Sequence, residues 1–348
     1  MRVLFTDSRY HSQRQWEKPV DIYPAHLAMF ATLLRNQGHD VTWFGTDDGS
    51  YDRVITSDAQ IDVEFDQLPI PDRVWTNAMN PKYLSYGNYK FFPGSHYLSS
   101  NLCWWAGERG CTFCSDSQRI IDGEPRRVRS VDHVLSEIDD CIRLKFRELF
   151  DDAGTIPLGK WIHELCDKMI SSGRNQEIVL GCNLKPLKLD YYPKMRKAGF
   201  RFILVGIESA NQVTIDRIQK GQKSEDIIPI FKSMADAGLE PHLTTMFGYE
   251  WETHEDAMRT VELVHFLLKK GYAKTAQASV YSPPRTAPDP ASPGHKYIPK
   301  VYEAYRSPEF WLRKIQDLRK WEDVTYLVRG ARLVAEENLR KMKYALTR

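Results

Sequence analysis

The chain has 348 residues, is 42% hydrophobic and 27% charged, and carries a formal net charge of +2, with a mean hydropathy of −0.49. That length supports one large domain or two, and the near balance of charge offers no general field for nucleic acid or an acidic membrane. No run approaches the roughly 18 apolar residues of a membrane span, and the opening MRVLFTDSRYHSQ lacks the apolar core of a secretion signal, so the sequence reads as cytoplasmic, with neither a nucleic-acid nor a membrane partner.

In chain order, MRVLFTDS is an apolar run suited to a buried strand. YPAHLAMFATLLRNQGHD carries apolar residues at helical spacing with a stop expected near Gly38, and DVTWFGTDD reads as the next strand, completing one βαβ unit. From there to about Ser100 the chain is rich in Pro, Asn, Asp and Tyr, and reads as a second partial unit followed by a connection. A strand is expected around Phe91–Leu98. Next come a helix in SVDHVLSEIDDCIRLK, with Ser130 capping it before Val131, and a strand in FRELFDD that ends in two acids. The alternation continues: a helix in LGKWIHELCDKMISSG, a strand in QEIVLGCNL, a short helix in LDYYPKMRKAGF and a strand in RFILVGIES. SEDIIPIFKSMADAGL is a helix running from Ser224 to Gly238, and EPHLTTMFGYE a strand. THEDAMRTVELVHFLLKKGY is a helix capped by Thr253, and KTAQASVYSP a strand.

Strands separated by single helices, about 25–40 residues per unit, imply a parallel sheet with right-handed crossovers. Six units are too few for an eight-stranded barrel, so the expected fold class is α/β, a partial (β/α)6 barrel. SPPRTAPDPASPGHKYIP holds six prolines, too dense for regular helix or strand, and is expected to form a loop over the barrel mouth. The remainder reads as an amphipathic helical tail. The expected division is a short α/β segment over 1–95, the barrel over 96–285, and a proline-rich linker with helical tail over 286–348.

The chemistry begins in NLCWWAGERGCTFCSDS, Asn101–Ser117, where Cys103, Cys111 and Cys114 are separated by seven residues and then two. Six cysteines in a chain this long are not a disulfide scaffold. A structural zinc site wants four ligands, and the nearest histidines, His96 and His133, lack finger-like spacing. Three thiolates holding a 4Fe-4S cluster leave one iron open to the amine and carboxylate of a small molecule. Against this stands a non-catalytic iron–sulfur or zinc module for electron transfer or scaffolding, which would not need acids at strand ends. Cys141 and Cys166 fall in helices and read as core thiols. Cys182, at the end of a strand in LGCNLKP, is either core or a weak candidate for a catalytic hydrogen donor or radical partner.

The chain resembles the radical S-adenosylmethionine superfamily. The family's usual first gap is three residues; the gap of seven here is a variant, most similar to the branch in which a tryptophan pair and a glycine follow the first cysteine, as in Trp104-Trp105-Ala106-Gly107. That branch is associated with cobalamin-type radical enzymes, including peptide-modifying methyltransferases. The resemblance runs from about Tyr97 to Pro283, through FDD at Phe150–Asp152, GIESANQ at Gly206–Gln212, RIQKG at Arg217–Gly221 and MFGYEWET at Met246–Thr253. It implies that Cys103, Cys111 and Cys114 hold a 4Fe-4S cluster and that its open iron chelates S-adenosylmethionine. An electron then cleaves the cofactor to methionine and a 5′-deoxyadenosyl radical, which takes hydrogen from an unactivated carbon of a small-molecule, natural-product or peptide substrate. Methylation, cyclisation, rearrangement and epimerisation stay open. The chemistry would be oxygen-sensitive and would need a reductant such as flavodoxin or ferredoxin.

Residue by residue, the resemblance implies that Asp151 or Asp152 meets the methionyl amino group, the alternative being a helix-start acid pair. Glu208 would accept ribose hydroxyls or an ammonium, or else serve as a cap or salt bridge. Ser209 would bond the cofactor carboxylate or cap the next helix, and Lys220 would pair with that carboxylate or sit on the surface. Gly248 would let the backbone approach the nucleoside, or merely end a strand, and Phe113 would pack on the adenine. DIYPAHLAMFATLLRNQGHDVTWFG is similar to the opening of the branch's cobalamin-binding Rossmann-like domain. A full domain needs about five strands and no Asp-x-His-x-x-Gly signature occurs, so 1–95 reads as a truncated Rossmann-like segment, which weighs against bound cobalamin without removing it.

Overall fold

The computed structural model describes residues 1–6, 23–45, 47–56, 63–80, 83 and 89–332. Strands β1 (Arg2–Thr6), β2 (Asp40–Trp43) and β3 (Arg53–Thr56) form a parallel sheet in the order β2-β1-β3, with helix α1 (Ala25–Asn36) between β1 and β2. Leu27, Ala31 and Leu34, spaced along one face of α1, pack with Val3, Phe5 and Ile55. Gly38 takes φ +82°, the left-handed stop its sequence position suggests. The second strand is shorter than its apolar run: it ends at Trp43, where Phe44 turns to φ +50°.

The larger sheet has six parallel strands in sequential order: β4 (Gly94–Tyr97), β5 (Glu148–Asp151), β6 (Val179–Asn183), β7 (Phe200–Glu208), β8 (Glu240–Phe247) and β9 (Thr275–Val280). This is the α/β partial barrel expected from the sequence. Its helices are α2 (Ser115–Ile121), α3 (Val131–Arg143), α4 (Lys160–Ser171), α5 (Tyr192–Lys197), α6 (Gln212–Arg217), α7 (Ile227–Asp236) and α8 (His254–Lys269). In α3, Val131, Val134, Leu135, Ile138 and Cys141 are buried while Asp132, Ser136 and Asp139 face outward. Ser130 caps that helix by accepting from His133 N at 3.3 Å, and Thr253 and Asp256 form a reciprocal capping box on α8. One boundary differs from expectation. Ser224 starts a single 3-10 turn, Ser224–Asp226, and α7 proper begins at Ile227.

Alternate strand residues point to opposite faces. Leu149, Leu180, Ile203, Val205 and Leu243 join the helices in the main core. Phe150 and Phe202 instead meet Tyr89 on the inner face, with the His96 ring 5.8 Å from Phe150 and the His242 ring 5.6 Å from Phe202. At the strands' N-terminal ends Arg201 bridges Glu148 and Glu240, and Lys90 reaches Glu240 at 3.0 Å.

The proline-rich segment is more ordered than its composition suggests. Pro293–Lys296 forms a 3-10 turn, and Pro299 occupies the first turn of helix α9 (Ile298–Tyr302), where its missing N–H removes no helical bond. The segment leaves and returns at the end of β8. Tyr281 N donates to Phe247 O at 2.8 Å, and Ser292 and Gly294 lie against Gly248. Between these points Arg285 pairs with Asp122, at the end of α2, at 2.8 Å, so the segment reaches across the C-terminal side of the sheet. The tail continues through α10 (Pro308–Gln316) and is helical over 321–332, with Arg147 bonding Glu322 at 3.1 Å. No helix among the described residues is long and apolar enough to cross a membrane.

A charged triad joins the stretch before β4 to the barrel. Glu137 of α3 bonds Arg73 at 2.6 Å and also Arg129, and all three side chains are fully buried. Arg73 donates to His96 O and Arg129 to Leu98 O, so both cations are also tied to the β4 backbone and its continuation. Burial alone would raise the Glu137 pKa, but Arg129 and Arg73 together hold it below the usual carboxylate range. Glu137→Ala strands two guanidinium groups and should cost about 3–5 kcal/mol, read as a lowered urea midpoint by near-ultraviolet circular dichroism. Removing Lys232 from its exposed pair with Asp236 should leave the midpoint in place.

Candidate functional site

The parallel strands bring the FDD, GIES and MFGYE segments to one edge, and the cysteine loop enters there from β4. Asp151, at the end of β5, latches the approach. Its Oδ1 accepts from Ser99 N at 2.9 Å and Ala153 N at 3.2 Å, and Oδ2 bonds Ser99 Oγ. Burial outweighs these bonds and raises its pKa to about 6. Asp151 is thus fully buried and engaged, whereas its neighbour Asp152 is the exposed acid. The alternative reading, a helix-start acid pair, is not formed, since α4 begins at Lys160.

Cys103 is fixed from three directions. Its N–H donates to Asp116 Oδ2 at 2.8 Å, its thiol donates to Thr155 Oγ1 at 3.3 Å, and its Sγ accepts from Trp105 N at 3.3 Å. Gly154 has no room for a side chain: an added Cβ would strike Asp116 and lie 3.1 Å from Cys103 Cβ. The loop is also pinned to the turn at 217–221. Trp105 Nε1 donates to Gln219 O at 3.0 Å, and Thr112 N donates to Ile218 O at 3.1 Å. Gly221, at φ +61°, lies under the Trp105 ring.

Glu208 ends β7 beside a register shift and takes φ +60°, an uncommon conformation for glutamate that re-aims its side chain. Lys220 Nζ donates to Glu208 Oε1 at 2.7 Å above the Gly206 backbone, and lies 5.6 Å from the centre of the Phe113 ring. Lys220 is therefore no surface lysine. Burial works against its ammonium, yet Glu208 and the Cys111 thiol hold its pKa above the ordinary lysine value. Burial pushes the Cys111 thiol up, against the pull of Lys220. Burial, with Asp116 adding to it, pushes Cys114 up to about 11.

At three positions the geometry favours the structural alternative of the two readings. Cys182 faces the helices: it is fully buried in the main core with Cys166, so it is not at the mouth, and burial holds its thiol far above the usual range. Ser209 is fully buried, its Oγ accepting from Asn211 N at 3.1 Å and Nδ2 at 3.2 Å, so it organises the start of α6. Gly248, at φ +90°, lies against Ser292 and Gly294 of the chain itself at the end of β8.

Sequence reasoning missed Lys185, Asp116, Thr155 and Tyr249. Lys185 is 5% exposed; its Nζ lies 3.1 Å from the centre of the Trp105 ring and has no hydrogen-bond partner among the described residues. Burial lowers its pKa to about 8, with the Cys111 thiol acting in the opposite sense. The Tyr249 hydroxyl is likewise buried without a partner among those residues, and Tyr249 stacks on Trp251 at 5.4 Å. A cavity of about 680 Å³ lies elsewhere, at the N-terminal ends of β8 and β9 beside Glu240, Lys274 and Tyr326, and holds none of the cysteines.

Among the described residues no group of three His, Cys, Asp or Glu side chains meets as a ready-made metal site. The fit to a cluster therefore rests on donor chemistry. Three half-buried cysteines share one loop, and two ammonium groups act on their thiols. One of those groups, Lys185, has an unpartnered Nζ. A negatively charged thiolate cluster suits that setting.

Residues 101–264 match the sequence profile of the radical SAM superfamily. The anaerobic magnesium-protoporphyrin IX monomethyl ester cyclase of Rubrivivax gelatinosus is 26% identical over 183 residues, which is 50% of this chain and 32% of that protein. The chain thus spans about a third of the length of that curated relative. Among solved structures, the radical S-adenosylmethionine methyltransferase TsrM of Kitasatospora setae, with cobalamin and a 4Fe-4S cluster bound, has 16% identity and a TM-score of 0.46, covering 53% of this chain and 36% of its own. The cobalamin-dependent S-adenosylmethionine radical enzyme OxsB has 14% identity and a TM-score of 0.47, covering 82% of this chain and 39% of its own.

Gly221→Ala should drive the Trp105 indole off the turn, seen as a red-shifted tryptophan emission. Gly173→Ala, at φ +78° with open space around it, carries a similar backbone strain of about 1–2 kcal/mol and should leave the emission unchanged.

Proposed function

We propose that this chain, whose residues 101–264 form a radical SAM domain, is an enzyme that holds a 4Fe-4S cluster on Cys103, Cys111 and Cys114 and binds S-adenosylmethionine beside it. Its action would be to take hydrogen from an unactivated carbon of a small-molecule or peptide substrate. The observation that carries this reading is the clamping of the cysteine loop against the strand ends, by Thr155 after β5 and by the 217–221 turn after β7.

Held by Cys103, Cys111 and Cys114, the cluster would supply an electron at low potential for reductive cleavage of the bound sulfonium cofactor. The protein's own residues bind, orient and exclude water. Glu208 and Lys220 are paired with each other beside Cys111, and a cofactor bearing an amino group and a carboxylate would exchange that pair for bonds of its own to the same carboxylate and ammonium. Asp152 offers a second, exposed acid at the same edge, and Phe113, between two cysteines, offers an apolar face to the adenine. Behind them the inner face is aromatic, with Tyr89, Phe150 and Phe202 buried together. Burial, with Arg73 adding to it, pushes His96 down to about 3, and burial pushes His242 down to about 4, so both rings are neutral at physiological pH. A neutral aromatic layer of this kind would limit quenching by solvent. The proline-rich segment that joins Gly248 to Asp122 is suited to covering the mouth.

The described residues of the N-terminal segment form a three-stranded sheet, and corrinoid absorbance after expression with cobalamin supplied would decide whether cobalamin joins the cofactor set. An external one-electron donor of the flavodoxin or ferredoxin kind completes the requirement.

After anaerobic loading with iron and sulfide, the wild-type chain with dithionite and S-adenosylmethionine should release 5′-deoxyadenosine, and the variant with all three loop cysteines changed to Ala should release none. Equal output from the two would overturn the proposal. Glu208→Gln should weaken S-adenosylmethionine binding roughly 10- to 100-fold, the loss of a charge-assisted bond, measured by equilibrium dialysis of the loaded protein.

A further inference from the structure

We propose that Lys185 is the counter-charge of the cluster, a positioning residue that anchors Trp105 and raises the cluster's reduction potential. The inference rests on the function proposed above and deepens it. Lys185 follows β6, far from the cysteines in sequence. Its Nζ nevertheless lies 3.1 Å from the centre of the Trp105 ring and 5.8 Å from that of Trp104, both within the insert between Cys103 and Cys111. An added Cβ on Gly221 would come within 3.1 Å of the same nitrogen, so the ammonium is enclosed between the indole and the 217–221 turn.

The energetics leave this charge short of compensation. A desolvated cation–π contact contributes about 2 kcal/mol, whereas burying an ammonium costs several kcal/mol. The other lysine of the site, Lys220, has Glu208 as its partner at 2.7 Å. Lys185 has no hydrogen-bond partner among the described residues, and the thiols that act on it are Cys111 and Cys103. Three thiolates outweigh the positive iron–sulfide core, so a cluster on these cysteines is net negative, and one-electron reduction makes it more so. A fixed positive charge favours the reduced form more than the oxidised form. The electron comes from the external donor, and no proton need move. The long gap between Cys103 and Cys111 then has a physical use: it carries the indole floor on which the lysine rests.

The test is a redox titration of the loaded protein, without S-adenosylmethionine, followed by electron paramagnetic resonance. Lys185→Met should shift the reduced-to-oxidised ratio at fixed potential by about tenfold toward oxidised, a midpoint lowered by about 59 mV for one electron. Lys185→Arg, which keeps the charge, should return most of that shift. An unchanged midpoint in Lys185→Met overturns the inference, as does an equal shift in Lys185→Arg. Weaker S-adenosylmethionine binding with an unmoved midpoint also overturns it, marking Lys185 as a cofactor contact instead. If Lys185→Met folds without taking up iron, loading decides: iron in Lys185→Arg but not in Lys185→Gln supports the counter-charge, and equal loss in both overturns it. A wild-type chain that holds no 4Fe-4S cluster would sink the underlying function, whereas a loaded wild type with an indifferent Lys185 would sink only this inference.

Discussion

The parallel register of the six-stranded sheet is the constraint on which the site depends. Each strand must return by a crossover before the next begins, so every loop after a strand opens on the same edge. Tyr97 pairs with Asp151 and Asp151 with Cys182, and Glu208 lies opposite Thr245. Residues remote in sequence therefore arrive at similar heights without any interaction between them. The cysteine loop follows β4 directly and has no separate scaffold. Its position comes from the edge it enters and from the groups already standing there.

Those groups are mostly backbone atoms and small residues. Gln219 O and Ile218 O receive the loop, while Gly154 and Gly221 leave it room. This suits a loop that has to hold three sulfurs in a defined arrangement, because backbone acceptors lose less freedom on binding than long side chains do. The one costly latch is Asp151, whose burial is only partly offset by the bonds from Ser99 and Ala153. It sits outside the mouth and fixes the residues through which the chain approaches Cys103.

The strand and helix order was legible because apolar periodicity changes cleanly from alternation to helical spacing after each turn, and the cysteine spacing spoke for itself. Which way a strand-end side chain points was not legible, because that depends on register. The irregularity between Leu180 and Gly181 lies just before Cys182, and the one between Gly206 and Glu208 comes with a left-handed glutamate. A shift of one residue exchanges mouth for core. Ser209 and Asp151 were chemically apt but are engaged by the chain itself. Lys185 was invisible for another reason: a single lysine carries no pattern, and its meaning lies in an indole from a distant loop.

The buried charges of the barrel are arranged in networks, and unpartnered buried polar atoms occur both at the mouth and elsewhere among the described residues. At the N-terminal ends of the strands, Glu148, Arg201, Glu240 and Lys90 form a connected ionic network. Beside β4 the triad of Arg73, Glu137 and Arg129 is fully buried and ties its cations to carbonyl groups, while Arg73 Nε and Nη1 have no hydrogen-bond partner among the described residues. At the mouth, Trp104 Nε1, Ser117 Oγ, Lys185 Nζ, Tyr249 OH and Glu252 Oε1 are all buried without hydrogen-bond partners among the described residues. Burial also pushes the Glu252 carboxyl up to about 7. An unsatisfied buried polar group costs about 1–3 kcal/mol, so the groups at the mouth carry a cost that a water or a ligand would relieve. The ionic locks at the opposite end and beside β4 let the fold tolerate that cost at the mouth.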